Sequence, residues 1–188
     1  MTTNYHSAIA TGANANASVI NSPLESLDAA IENIRNEMRL SARQFAPTSG
    51  TPAEGNVGTG GDAAASWRLD DSATEYVGVG IEYKGSGATT VDVDIWYAME
   101  SATSGAVVLA AGAIAAADGE NFAAAATAST AGSTVPGTAK FIKKATISLS
   151  ITVAAGDVIR LRVGRNGTSG SDTATGDLHI VAVTVRFS

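Results

Sequence analysis

The chain has 188 residues, no cysteine, a formal charge of −6 and a pI near 4.8. An acidic balance disfavours nucleic acid as a partner, because phosphate contacts need a basic surface. The missing cysteines exclude disulfides and thiolate metal sites.

Residues 1–21 are short on bulky apolar side chains and cannot fold alone. Met1 to His6 is polar, with neither the basic nor the apolar region of a secretory signal. Tyr5, His6, Ile9, Val19 and Ile20 nevertheless supply anchors that a pure linker lacks. The segment reads as an extended arm that orders on another protein.

Residues 22–45 carry apolar side chains in steps of three and four, the spacing of a coiled-coil seam. Leu24, Ile31, Met38 and Phe45 fall at a; Leu27 and Ile34 fall at d, with Ser41 as the polar exception. Ser22 as N-cap, Pro23 at the first helical position and Glu25 two residues further on mark the start. Pro47 marks the stop. The spacing predicts a rod of roughly 30–35 Å. Isoleucine at both a and d favours three strands over two, so the chain is expected as a homotrimer. Residues 46–65 are rich in Pro, Gly, Thr and Ala and read as a linker. The glycines at 58–61 lack the Lys-Ser/Thr of a phosphate loop.

From Trp67 the period changes to two. Strands are predicted over 75–83, 89–97, 107–117, 122–128, 145–151, 158–163 and 177–187. Short strands divided by Gly-rich turns imply a mainly β domain over 66–188, an antiparallel β-sandwich of jelly-roll type. No run approaches the ~18 apolar residues of a membrane span, so no membrane is expected.

Several groups invite chemistry. Asp92 and Asp94 share one strand face and, with Glu82, offer a carboxylate cluster for Ca²⁺; a solvated strand face is the plainer expectation. His179 has no second histidine near it and is expected at the surface or in a subunit interface. Arg160, Arg162, Arg165 and Arg186, with Asp157, Asp172 and Asp177 nearby, suit salt bridges. No Gly-x-Ser-x-Gly elbow is present. No facing carboxylate pair is predicted. No catalytic residue, metal or cofactor is therefore assigned, and the chain is not expected to be an enzyme.

A family resemblance rests on ordered short motifs. The C-terminal ones are Trp96-Tyr97-Ala98, Thr103-Ser104-Gly105, the runs 116–120, 135–139 and 154–159, Arg165, and Ser171 to Asp177. Their order resembles the jelly-roll domains of tailed-phage structural proteins. The stretches His6 to Ala13 and Ser22 to Ile31 resemble the virion-attachment leader of such fibres. The resemblance implies a homotrimeric head fibre or capsid decoration protein at the virion surface. Its partner would be a capsid or tail protein, docked by Tyr5, His6, Ile9, Val19 and Ile20. The alternatives are a tail-associated fibre or adaptor, or a carbohydrate-binding receptor-recognition module. That module would contact a host surface glycan through loops near Tyr83, Trp96 and 166–172.

Overall fold

The structure, a computed structural model, describes residues 24–31, 36–58 and 63–188. The expected docking residues Tyr5, His6, Ile9, Val19 and Ile20, the helix start at Ser22 and Pro23, and Ile34 lie outside them.

Two antiparallel sheets face each other. The strands are β1 (Glu37–Ser41), β2 (Ala46–Ser49), β3 (Ala53–Val57), β4 (Ala64–Leu69), β5 (Thr74–Glu82) and β6 (Val91–Met99). They continue as β7 (Ala106–Ala116), β8 (Thr127–Thr134), β9 (Lys143–Leu149), β10 (Val158–Asn166) and β11 (Leu178–Phe187). The six-stranded sheet runs β3-β4-β11-β6-β9, with β1 also on β11; the five-stranded sheet runs β2-β5-β10-β7-β8. Alternation selects the core. Val91, Val93, Ile95 and Tyr97 of β6 point inward and are fully buried, as are Ile159, Leu161 and Val163 of β10. The expected β-sandwich is present, and the clearly alternating strands lie within three residues of their predicted bounds.

The N-terminal part departs from expectation. Residues 24–31 are helical, but the predicted helix does not continue to 45. Instead β1 pairs with β11, Met38 opposite Val185 and Leu40 opposite Val183, and a 3-10 turn over Ala42–Gln44 leads into β2. The same residues that fit a heptad also alternate: Met38 and Leu40 against Glu37, Arg39 and Ser41. The register of β4 covers β11 only over Leu178–Ile180, and β1 covers the same side over Ala182–Arg186. Pairing there satisfies backbone groups and buries Leu40. A three-heptad helix is marginal by itself. Two expected seam residues therefore serve the sandwich: Phe45 is buried in its core and Met38 packs against it. Leu27 and Ile31, on the helical segment, are exposed. The expected linker at 46–65 holds β2, β3 and the start of β4, so the sandwich begins at Glu37 and not at 66. Only Thr127 and Ala128 of the strand expected at 122–128 belong to β8. Its Thr, Ser and Gly give too weak an apolar signal to fix the bounds.

One buried ion pair closes the end of the sandwich. The Arg165 guanidinium and the Asp172 carboxylate are 0% and 1% exposed. Arg165 Nε donates to Asp172 Oδ2 at 3.0 Å and Nη2 to Oδ1 at 2.7 Å, while Nη1 and Nη2 also reach the Gly176 and Ala174 carbonyls. Asp172 Oδ2 accepts in addition from Val108 N. A buried pair is tolerable only when its remaining hydrogen-bonding capacity is used in this way. It ties the 167–177 loop to β10 and β7.

Phe45→Ala should destabilise the sandwich by about 3 kcal/mol, the cost of emptying a core aromatic site. Urea unfolding reads this directly. An unchanged midpoint would return Phe45 to a seam outside the domain.

Candidate functional site

The two outer faces of the sandwich differ. On the five-stranded sheet the outward positions of β5 and β7 that flank Arg160 and Arg162 of β10 are Gly78, Gly80, Gly112 and Ile114. The Arg162 guanidinium lies over the Tyr76 ring at 4.8 Å. That aromatic face is thereby occupied. Arg160 donates to the Ala124 carbonyl and sits over Phe122.

The six-stranded sheet presents a polar grid around one tryptophan. Strand register aligns Ser41, Ala182, Trp96 and Lys144 in one row across β1, β11, β6 and β9. The next row is Arg39, Thr184, Asp94 and Thr146; the third is Glu37, Arg186, Asp92 and Ser148. Outward alternation on β6 makes Trp96 38% exposed while its neighbours Ile95 and Tyr97 are 0% exposed. A register shift between Ile180 and Ala182 sets Ala182 opposite the indole. Its methyl group leaves that flank open. On the other flank Lys144 Nζ lies 5.8 Å from the ring centroid. The depression beside Trp96 has a volume of about 700 Å³ and is lined also by Arg39, Gln44, Thr184 and Arg186.

Asp94 organises this face. It is 1% exposed although it points outward, because its neighbours close over it. Arg186 Nη1 donates to its Oδ2 and Nη2 to Oδ1 at 3.1 Å. Thr146 Oγ1 donates to Oδ1 at 2.5 Å and Lys144 Nζ to Oδ2 at 3.2 Å. Burial pushes the carboxyl upward, but the bonds from Arg186, Thr146 and Lys144 outweigh it and hold the value at about 2. The carboxylate thus fixes Lys144, which borders the indole, and Arg186, which lines the same depression. The expectation of a solvated strand face fails at this position.

The carboxylate cluster that Asp92, Asp94 and Glu82 offered as the less favoured alternative does not form. Glu82 ends β5 in the opposite sheet and pairs with Lys84 at 3.4 Å, while Asp92 accepts from Ser148 Oγ at 2.5 Å. Among the described residues no group of three or more His, Asp or Glu side chains could hold a metal. Nor does a pocket unite Tyr83, Trp96 and 166–172. Tyr83 is fully buried against Phe187, with ring centroids 4.5 Å apart, and Asp172 is locked to Arg165.

His179, expected at the surface or in a subunit interface, is buried within the chain at 3% exposure. Its Nδ1 lies 2.8 Å from Ser66 Oγ and its Nε2 2.9 Å from Glu100 Oε2. A Cβ on Gly55 would lie 3.2 Å from the imidazole, so glycine lets β3 cross it closely. The line Ser66–His179–Glu100 has the residue types of a hydrolytic triad. The Ser66 residue is 4% exposed, however, and a nucleophile must meet its substrate. The arrangement instead satisfies both ring nitrogens of a buried imidazole. The sequence offered no signal for it, since the partners lie 113 and 79 positions away.

No protein-family model and no curated protein sequence matches the chain. Solved structures do resemble its fold. One is a CBM35 from Paenibacillus barcinonensis, with a TM-score of 0.53 and 18% identity over 80% of this chain and 99% of that one. Another is the Arthrobacter globiformis T6 isomalto-dextranase complexed with panose, with a TM-score of 0.54 and 15% identity over 80% of this chain and 23% of the larger one. At these identities the likeness is one of fold.

Two outcomes follow from the buried groups. Burial draws the His179 imidazole below its ordinary value, against the opposing pull of Glu100. The unfolded chain then binds the proton more readily, so stability should fall as pH drops through about 6.5. His179→Gln should flatten that part of a thermal-melt pH series; an unchanged slope would assign it to another group. Asp94→Ala should cost about 2–3 kcal/mol in urea unfolding, because it strands Arg186 and Lys144. A loss under about 0.5 kcal/mol would mean that the grid does not depend on it.

Proposed function

We propose that the sandwich is a carbohydrate-binding module and that the Trp96 face of the six-stranded sheet is its binding surface. The observation that carries this reading is an indole 38% exposed in the middle of an ordered polar face. A sugar ring has an apolar C–H face and a polar rim. An aromatic plane ringed by hydrogen-bonding groups matches both features. Thr184 and Gln44 offer neutral donors and acceptors, and Arg39 offers a cation. The fold likeness to a carbohydrate-binding module and to part of an isomalto-dextranase supports the reading at the level of architecture. The activity proposed is binding without cleavage.

A glycan array, with panose among its probes, tests this. The wild-type chain should bind a discrete set of oligosaccharides. Trp96→Ala should weaken that binding about thirtyfold, the loss of a central aromatic anchor worth about 2 kcal/mol. Equal binding by a folded Trp96→Ala variant would exclude this face.

The resemblance to tailed-phage proteins gives this activity a setting at the virion surface. In that reading a homotrimer docks by residues 1–21 on a capsid or tail protein. The exposure of Leu27 and Ile31, at 55% and 39%, favours a helical seam between copies. Three linked modules would raise weak glycan affinity through avidity. Sedimentation equilibrium should return a trimer, and Leu27→Asp with Ile31→Asp should convert it to monomers with the sandwich intact. A monomeric wild type would exclude the seam.

A further inference from the structure

The turn between β8 and β9 carries side chains that neither the core nor the Trp96 face uses. Phe141 is 61% exposed and Ile142 is 50% exposed. They are adjacent in the chain, and large apolar neighbours this open are costly to keep in water. Around them the charge is biased. The sequence contains four lysines, and three of them, Lys140, Lys143 and Lys144, fall within these five residues. No Asp or Glu occurs between Glu120 and Asp157, in a chain whose net charge is −6.

The turn is also built to project. Lys140 has φ 64°, the one non-glycine residue with positive φ among those described. A lysine in the left-handed region is held there by its surroundings and not by its own preference. Lys140 N donates to the Met99 carbonyl at 2.9 Å, and Lys140 Nζ meets Glu100 at 3.2 Å. These contacts fix the base of the turn while the next two side chains remain open.

The charges facing the turn come from β6, β9 and β11 as well as from the turn itself. Glu100 offsets Lys140, and Asp94 is shared by Lys144 and Arg186. Lys143 donates to the Thr134 carbonyl, which leaves its charge unneutralised. Arg186 lies in the row of Glu37 and Asp92, so at the turn itself three lysines stand against Glu100 and Asp94.

We propose that this turn is a docking tip for an anionic lipid surface, with Phe141 and Ile142 entering the interface and the lysines meeting headgroup phosphates. Lysine stems beside an apolar pair allow both contacts at once. Charge complementarity selects an anionic surface over a neutral one. Docking of this kind needs no spanning segment; no described helix is long and apolar enough to cross a membrane. The inference does not use Trp96 and shares only Lys144 with its row.

Co-sedimentation of the full chain with phosphatidylcholine vesicles, with and without phosphatidylglycerol, tests the proposal. The chain should pellet only with the anionic vesicles, and added salt should release it. Phe141→Ser with Ile142→Ser should lower the bound partition coefficient about tenfold or more. Lys143→Gln should lower it about fivefold. All these side chains are exposed or half-buried, and a thermal melt confirms that each variant is folded. The proposal is overturned if the wild type stays in solution with anionic vesicles or if the variants pellet equally well. It is also overturned if the double variant only dissociates an oligomer of the chain, which would make the turn a contact between copies. A glycan array leaves this result untouched, so the two readings fail separately.

Discussion

A single carboxylate holds the outer face of the six-stranded sheet in order. Asp94 lies in a strand position that alternation points toward solvent, yet it is almost wholly covered. Arg186 comes from β11 and Lys144 and Thr146 from β9, and all three converge on it. Charge-assisted hydrogen bonds of this type are stronger than neutral ones and have defined geometry. The consequence is local rigidity around Trp96. Lys144 is fixed on one side of the indole, and Ala182 leaves the other side free. An aromatic side chain whose neighbours are already positioned loses little entropy when a ligand arrives.

The sandwich beneath supplies the flat support. Its inward rows are aliphatic and aromatic, and the buried Arg165–Asp172 pair secures one end. The opposite outer face sets glycines and Ile114 around its arginines, with Arg162 laid over Tyr76. The two faces therefore have different chemistry. One offers an open indole among hydroxyls and charges; the other has already stacked its aromatic ring on a cation.

Much of this was legible in the sequence, and the reasons for the rest are physical. Val91, Val93 and Ile95 alternate with Asp92, Asp94 and Trp96, and that period alone places β6 and its two faces. The same logic finds β10 and β11. It fails at 36–49, where Met38 and Phe45 fit a heptad and Met38, Leu40 and Ala42 fit a strand equally well. The open stretch of β11 decides between them, and a neighbour in space leaves no mark on local periodicity. Trp96 was visible as a candidate, but Tyr83 was grouped with it although its ring fills the core beside Phe187. The Ser66–His179–Glu100 line was invisible because two strand positions and the residue after β6, all far apart in sequence, create it.

The most direct measurement uses the fact that the chain has two tryptophans. The Trp67 indole is buried and donates to the Ala42 carbonyl at 2.8 Å, whereas the Trp96 indole faces solvent. Each gives its own indole N–H resonance in a nitrogen–proton correlation spectrum. Titration with an oligosaccharide selected on the array should move the Trp96 signal progressively and leave that of Trp67 in place. Saturable binding that shifts resonances elsewhere, with the Trp96 signal unmoved, would contradict the assignment of this face.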